Sequence, residues 1–315
     1  MLLNNDREVY SLLSQILFQN DSHYSLMRII SNKASTHEGS FPANIIECQL
    51  KTGERILLRL KYSTRRQSRQ FKRKGIEYEA MVYNHILKNS SLSTPTYYGF
   101  LKARNDDLLL LGFLENGTLI KHAEPSAFAK AAKWIAEFHN SFEGLEYSFL
   151  KKLDQNYFLK WIDKIEMITA NEKDIEWLGN LASYYRNNIR MLLEQPQTII
   201  HGEFYGKNIL IKDDCIFPLD WEACAIGPPE IDLAALMDGK DAERAKLAKS
   251  NYMATRFPNG VPADFEKKLT LAELYFKLRW IAEWVDDADT LRLWLTDRNY
   301  FMGLHNIARQ LNCTS

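Results

Sequence analysis

The spacing of hydrophobic positions changes twice along the chain. Residues 7–19 (REVYSLLSQILFQ) carry apolar side chains at helical spacing and predict an opening amphipathic helix. Residues 26–30, 42–50 and 55–62 instead read as strands. Lys51-Thr52-Gly53-Glu54, between the last two, is a hairpin signal, because Gly53 can take a positive φ. Residues 63–89 open on a basic run and pass into EYEAMVYNHIL, a helical pattern. A turn near Pro95 precedes strand-like segments at 96–102 and 107–114. The first 115 residues are therefore predicted to be mostly antiparallel β with one prominent helix.

After Asn116-Gly117 the texture becomes helical, over 126–142, 156–170, 174–194, 229–238, 240–255 and 263–311. One island interrupts it. Residues 198–223 read strand, loop, strand, with apolar runs at 198–200, 208–211 and 216–219. The pattern predicts an α+β, bilobal chain, with a small β-rich lobe over 1–115 and a larger helical lobe over 116–315.

Composition narrows the class. Forty basic and forty acidic residues cancel, so there is no globally basic footprint for nucleic acid. Cys48, Cys215, Cys224 and Cys313 form no C-x-x-C pair and have no histidine at zinc spacing, which predicts reduced thiols and a cytoplasmic protein. No apolar run approaches the roughly 18 residues of a membrane span, so no membrane partner is expected.

The island carries the candidate chemistry. In His201-Gly202-Glu203-Phe204-Tyr205-Gly206-Lys207-Asn208 a strand delivers a carboxylate and an amide follows five residues later. Twelve residues further on, another strand delivers Asp220. Two acids and an amide at the ends of neighbouring strands suit phosphoryl transfer, which needs oxygen ligands for Mg²⁺ and a carboxylate to orient the attacking hydroxyl.

This stretch resembles the catalytic loop of the aminoglycoside phosphotransferases and their choline-kinase and protein-kinase relatives, H-G-D-x-x-x-x-N followed by a hydrophobic strand and a metal-binding aspartate. HGEFYGKN and then PLDWE follow it, and 225–234 (AIGPPEIDLA) resembles the family's G-x-P-x-x-D-L-A segment. The resemblance implies a protein-kinase-like fold and a kinase that takes ATP or GTP, with Mg²⁺ as cofactor and a small hydroxylated acceptor. It makes Asn208 and Asp220 the Mg²⁺ ligands and places Glu203 at the catalytic aspartate. His201 is then a structural support, and Asp232 a tie between the following helix and the loop. Lys61 stands where the nucleotide-binding lysine is expected, with Arg59 on the same strand face as its rival. Glu79 is the lysine's expected carboxylate partner, and Glu77, two residues away, faces elsewhere on the helix. Residues 108–116, including Gly112 and Leu114, occupy the place of the backbone segment that meets the nucleobase. Glu222 is either a metal-reaching or a solvated carboxylate, and His139 is expected to pack.

Departures from the pattern open alternatives. The segment expected to cover the phosphates, 31–40, holds Gly39 alone. Glu203 replaces the usual aspartate, which moves the carboxylate by about a bond length, and a misplacement of about 1 Å can cost on the order of 10²-fold in rate. A nucleotide-binding scaffold without efficient turnover is therefore the competing reading. The basic run from Arg65 to Lys74 suits anion steering or a solvated face, and nucleic-acid binding there is not expected because aromatic interleaving is slight. Trp280, Glu283, Trp284, Asp286, Asp287, Asp289 and Trp294 either form an aromatic and acidic acceptor surface or an ordinary helix with its tryptophans turned inward, and Tyr157 and Trp161 pose the same choice.

Overall fold

Helix α1 (Asp6–Asn20) turns Val9, Leu13, Ile16 and Leu17 to one side, the i, i+4, i+7, i+8 stripe of an amphipathic helix, and buries all four. The computed structural model describes residues 6–20, 22–35, 41–64, 75–103, 106–194, 196–296 and 298–313. The basic run at 65–74 and Gly39 lie outside them. Helix α1 packs on a five-stranded antiparallel sheet of order β1-β2-β3-β5-β4, built from β1 (Leu26–Ala34), β2 (Ala43–Leu50), β3 (Arg55–Thr64), β4 (Tyr97–Lys102) and β5 (Asp106–Gly112). The approach is close at Gly99, where a Cβ would stand 2.7 Å from Ile16 Cγ2. Gly53 takes φ 90° in the β2–β3 hairpin, as its sequence implies. In β3 the period-2 alternation sends Ile56, Leu58 and Leu60 into the core shared with Ile46, Cys48 and Leu50. Arg59 and Lys61 therefore face the other way. Helix α2 (Ile76–His85) lies against β4 and β5.

By contacts the chain divides into two compact units, Met1–Ala127 with Gly206–Cys224, and Phe128–Tyr205 with Ala225–Ser315. The first unit also holds β6 (Thr118–Leu119), β9 (Ile209–Lys212) and β10 (Cys215–Pro218), a sheet of order β10-β9-β6. Asp213 and Asp214 link β9 to β10 with φ 48° and 67°, a two-residue turn whose twist suits a hairpin.

The second unit is helical: α3 (Pro125–Phe142), α4 (Gln155–Thr169), α5 (Glu176–Leu193), α6 (Glu230–Met237), α7 (Ala242–Arg256), α8 (Phe265–Trp284), α9 (Ala288–Leu295) and α10 (Arg298–Gln310). Helix α8 is its centre, packed against α4, α5 and α6. A small sheet of order β7-β11-β8 joins β7 (Lys151–Lys152), β8 (Thr198–Ile200) and β11 (Ala225–Gly227). The helical stretch expected over 263–311 is three helices. It breaks at Asp287, whose carboxylate accepts from the Thr290 N–H and starts α9.

Candidate active site

In the first unit β3 brings Lys61 opposite Leu109 of β5, and its side chain is 1% exposed. Its Nζ donates to Glu79 Oε2 at 2.6 Å and to Asp220 Oδ1 at 2.9 Å. Burial opposes the ammonium charge, but Glu79, Asp220 and Glu222 outweigh it and hold the lysine above its ordinary pKa. Glu77, by contrast, is exposed and pairs with Lys102. Glu222 is buried, so it is not a solvated strand-end carboxylate.

The β9–β10 hairpin positions Asn208 and Asp220. Pro218 pairs with Ile209, and just beyond that pair the Leu219 N–H donates to the Asn208 carbonyl at 2.8 Å. Asn208 and Asp220 thus leave the same end of one hairpin. Asp220 adopts φ 59° and ψ 62°, a left-handed conformation that costs a residue with a Cβ on the order of 1 kcal/mol or more. The donor set fits Mg²⁺. It is one carboxylate and one amide oxygen, and Mg²⁺ takes one or two carboxylates with the rest of its shell from phosphates and water. Among the described residues no group of three or more His, Cys, Asp or Glu side chains is placed to hold a metal by itself.

A cleft of about 400 Å³, counting the open solvent at its mouth, lies beside this cluster. Lys61, Glu79, Gly112, Leu114 and Asp220 all line it. Leu210 and Leu219, from the hairpin, contribute apolar surface, which the sequence reading did not single out.

In the second unit the loop after β8 is held by Asp232 on α6. Its Oδ2 accepts from the His201 N–H at 2.7 Å and its Oδ1 from the Gly202 N–H at 2.8 Å. Gly202, at φ 81°, makes the bend. The His201 ring lies against the same loop, its Nδ1 accepting from the Glu203 N–H at 3.3 Å. His139 packs at zero exposure between Asp232 (Nε2 to Oδ2, 3.1 Å) and Tyr252 (Nδ1 to the hydroxyl, 2.9 Å).

Glu203 meets a partner that sequence reasoning missed. Arg279 of α8 directs Nη2 to Glu203 Oε1 at 3.3 Å and Nε to Glu283 Oε1 at 2.8 Å, and Arg279 and Glu203 are each 12% exposed. The one local signal was the i, i+4 spacing of Arg279 and Glu283. Around Arg279 lie Tyr157 and Tyr275, whose hydroxyls are 2.9 Å apart. Tyr205 is half-buried, and desolvation raises the pKa of its hydroxyl although Trp280 works to lower it. Trp280 and Trp284 are 40% and 64% exposed, so they do not turn inward.

Lys61, Glu79, Asn208 and Asp220 therefore belong to the first unit, and His201, Glu203 and Asp232 to the second. A β-rich unit with a buried lysine–glutamate pair, and a helical unit with an aspartate-anchored H-G-E loop, define an α+β fold of the protein-kinase-like class. The family model described as the phosphotransferase enzyme family matches residues 50–294, and the chain belongs to that family. A search of curated protein sequences found no match. Solved structures share the fold at low identity. A fructosamine-3-kinase described as putative, from Haemophilus somnus 129PT, is 17% identical, covering 95% of this chain and 96% of that one, with a TM-score of 0.58. A GDP complex of an aminoglycoside 2'-phosphotransferase-IIIa mutant is 13% identical, covering 97% of each chain, with a TM-score of 0.63. A choline kinase of Streptococcus pneumoniae is 14% identical, covering 96% and 97%, with a TM-score of 0.61. Among the described residues no helix is long and apolar enough to cross a membrane.

Proposed function

We propose that the protein transfers the γ-phosphoryl group of ATP or GTP to a hydroxyl of a small molecule, aminoglycoside-, sugar- or amino-alcohol-like. The observation that carries this reading is the buried Lys61–Glu79–Asp220 cluster on the wall of a cleft. Residues 1–115 serve as the nucleotide-binding lobe and 116–315 carry the acceptor. Lys61, oriented by Glu79, binds the nucleotide phosphates, and the backbone at Gly112 and Leu114 meets the base. Asn208 and Asp220 would hold Mg²⁺, which bridges phosphate oxygens and neutralises their charge. Glu203 orients the acceptor hydroxyl, and Arg279 fixes that carboxylate in place. Most of the catalysis then comes from positioning and charge stabilisation. Arg279 lies between two carboxylates, and exposed Trp280 and Trp284 stand on the same helix. That surface favours a neutral or cationic acceptor over an anionic one.

The test is a thermal-shift screen with ATP, GTP and Mg²⁺, then turnover against hydroxylated metabolites. The protein is expected to bind nucleotide only with Mg²⁺ and to phosphorylate at least one acceptor class. Asp220→Ala should lose both, and an unchanged variant would falsify the assignment. Nucleotide binding with no transfer to any acceptor would instead favour the scaffold.

A further inference from the structure

Three buried polar atoms on the wall of the same cleft have no hydrogen-bond partner among the described residues: Nε and Nη2 of Arg59 and the hydroxyl of Tyr83. Leaving such groups unsatisfied forfeits their hydration without replacing it, so their clustering points to a ligand that supplies their partners. The two residues act on each other. Burial pushes the Tyr83 hydroxyl well above its ordinary pKa, Glu79 and Asp220 add to that, and the Arg59 charge opposes it.

Register says which part of a ligand they meet. Lys61 is opposite Leu109 and, with Asp220, marks the phosphate end of the cleft. Arg59 is on the same face of β3 but opposite Leu111, the residue before Gly112. Two residues of strand separate the positions by about 6–7 Å. Arg59 is therefore at the end where β5 gives way to the 112–114 segment. There the Gly112 N–H donates to the Thr96 carbonyl and the Phe113 N–H to the Leu57 carbonyl. A nucleotide with its phosphates at Lys61 brings its base to Arg59.

We propose that Arg59 reads the nucleobase and makes the protein select guanine over adenine nucleotides. The inference rests on the proposed nucleotide site. Nε and Nη2 of a guanidinium form a two-donor fork. Guanine presents two adjacent acceptors, O6 and N7, which that fork matches. Adenine presents N7 beside an N6 amino donor, so one N–H of the fork would face another donor and remain unsatisfied. Arg59 thus becomes a specificity-determining residue, while Lys61 holds phosphates common to both nucleotides.

The test is calorimetric titration of the full chain with Mg²⁺ and GDP, IDP, 7-deaza-GDP or ADP, for the wild type, Arg59→Leu and Arg59→Lys. Melting curves confirm that each variant folds. GDP should bind the wild type about tenfold or more tightly than ADP, a fold-change worth about 1.4 kcal/mol. IDP, which keeps O6 and N7, should follow GDP, and 7-deaza-GDP, which lacks N7, should fall behind it. Arg59→Leu should bring all four within about twofold of one another, and Arg59→Lys, a single point donor, should retain only part of the preference. Equal wild-type affinities for GDP and ADP, or an Arg59→Leu variant that weakens both by the same factor, would overturn the base reading while leaving the nucleotide site standing. Binding of no nucleotide by the wild type would remove the proposed function itself.

Discussion

Glu203 has one methylene more than the aspartate of the resembling loop, and the added length ends at Arg279. The pair is largely withdrawn from water, and Arg279 also carries Glu283. Removing the cation leaves two carboxylates without it, and breaking a buried pair costs about 3–5 kcal/mol. Arg279→Met is expected near the lower end, because neither partner is fully buried. Glu203→Gln in that background should recover part of the loss, since it removes one of the stranded charges. Urea unfolding of both singles and the double gives the coupling, and strictly additive changes would show that the two side chains act independently. Lys61→Met is the more severe case. Glu79 lies at 1% exposure and Asp220 at 12%, and Lys61 donates to both. A loss of about 3–5 kcal/mol together with disappearance of the nucleotide-induced thermal shift is expected. Lys61 and Glu79 were singled out by their resemblance to the family pattern, since strand alternation alone leaves Arg59 on the same face as Lys61. Arg279 was not, because what singles it out is a contact with a residue 76 positions away.

At the scale of elements, helix α6 and the H-G-E loop are one device. Asp232, fully buried, takes both backbone N–H groups of the bend, and His139 of α3 shares its Oδ2. Burial holds the His139 pKa below 6.5, although Asp232 works to raise it. Above about pH 6.5 the ring is neutral in both the folded and unfolded chain, and the contribution is fully present. As pH falls through that value the unfolded chain binds the proton first, so stability declines toward the lower folded pKa. Melting temperatures between about pH 7.5 and pH 5.5 should show this decline, and His139→Gln should flatten it even if its neutral-pH stability is lower. A slope unchanged by that substitution would assign the acid sensitivity elsewhere. The β9–β10 turn offers a gain instead. Asp214 sits at φ 67°, where glycine has no Cβ penalty, and Asp214→Gly should stabilise by up to about 1 kcal/mol in the same melts. Strands of four residues or more could be read from alternation or apolar runs. The three-residue β8 could be read too, from its apolar run and its place before the H-G-E loop, but β6, β7 and β11 could not, because two or three residues carry no period and are fixed by their partners.

For the whole molecule, the texture change near residue 115 marks where β pattern yields to helix, whereas the contacts assign Gly206–Cys224 to the same unit as Met1–Ala127. The distinction has energetic content. Strand β6 pairs only with β9 in its sheet, Lys61 takes its second carboxylate from Asp220, and Leu210 and Leu219 line the cleft. A fragment ending at residue 127 loses all of these while keeping the five-stranded sheet. It is therefore expected to melt broadly and at lower temperature, with no nucleotide-induced shift. Replacing residues 128–205 by a flexible linker, so that 1–127 is rejoined to 206–224, returns the hairpin and its carboxylate. The closure cost grows only slowly with linker length, by about 0.6 kcal/mol per doubling, so a linker long enough to avoid strain is tolerable. That rejoined chain should regain a sharp melt by circular dichroism and a shift with nucleotide and Mg²⁺. It should transfer no phosphoryl group, because His201, Glu203 and Asp232 are gone with the second unit. If the 1–127 fragment alone melted as sharply and bound nucleotide as well as the rejoined chain, the hairpin would be dispensable to the first unit, and the role given to Asn208 and Asp220 would fall with it.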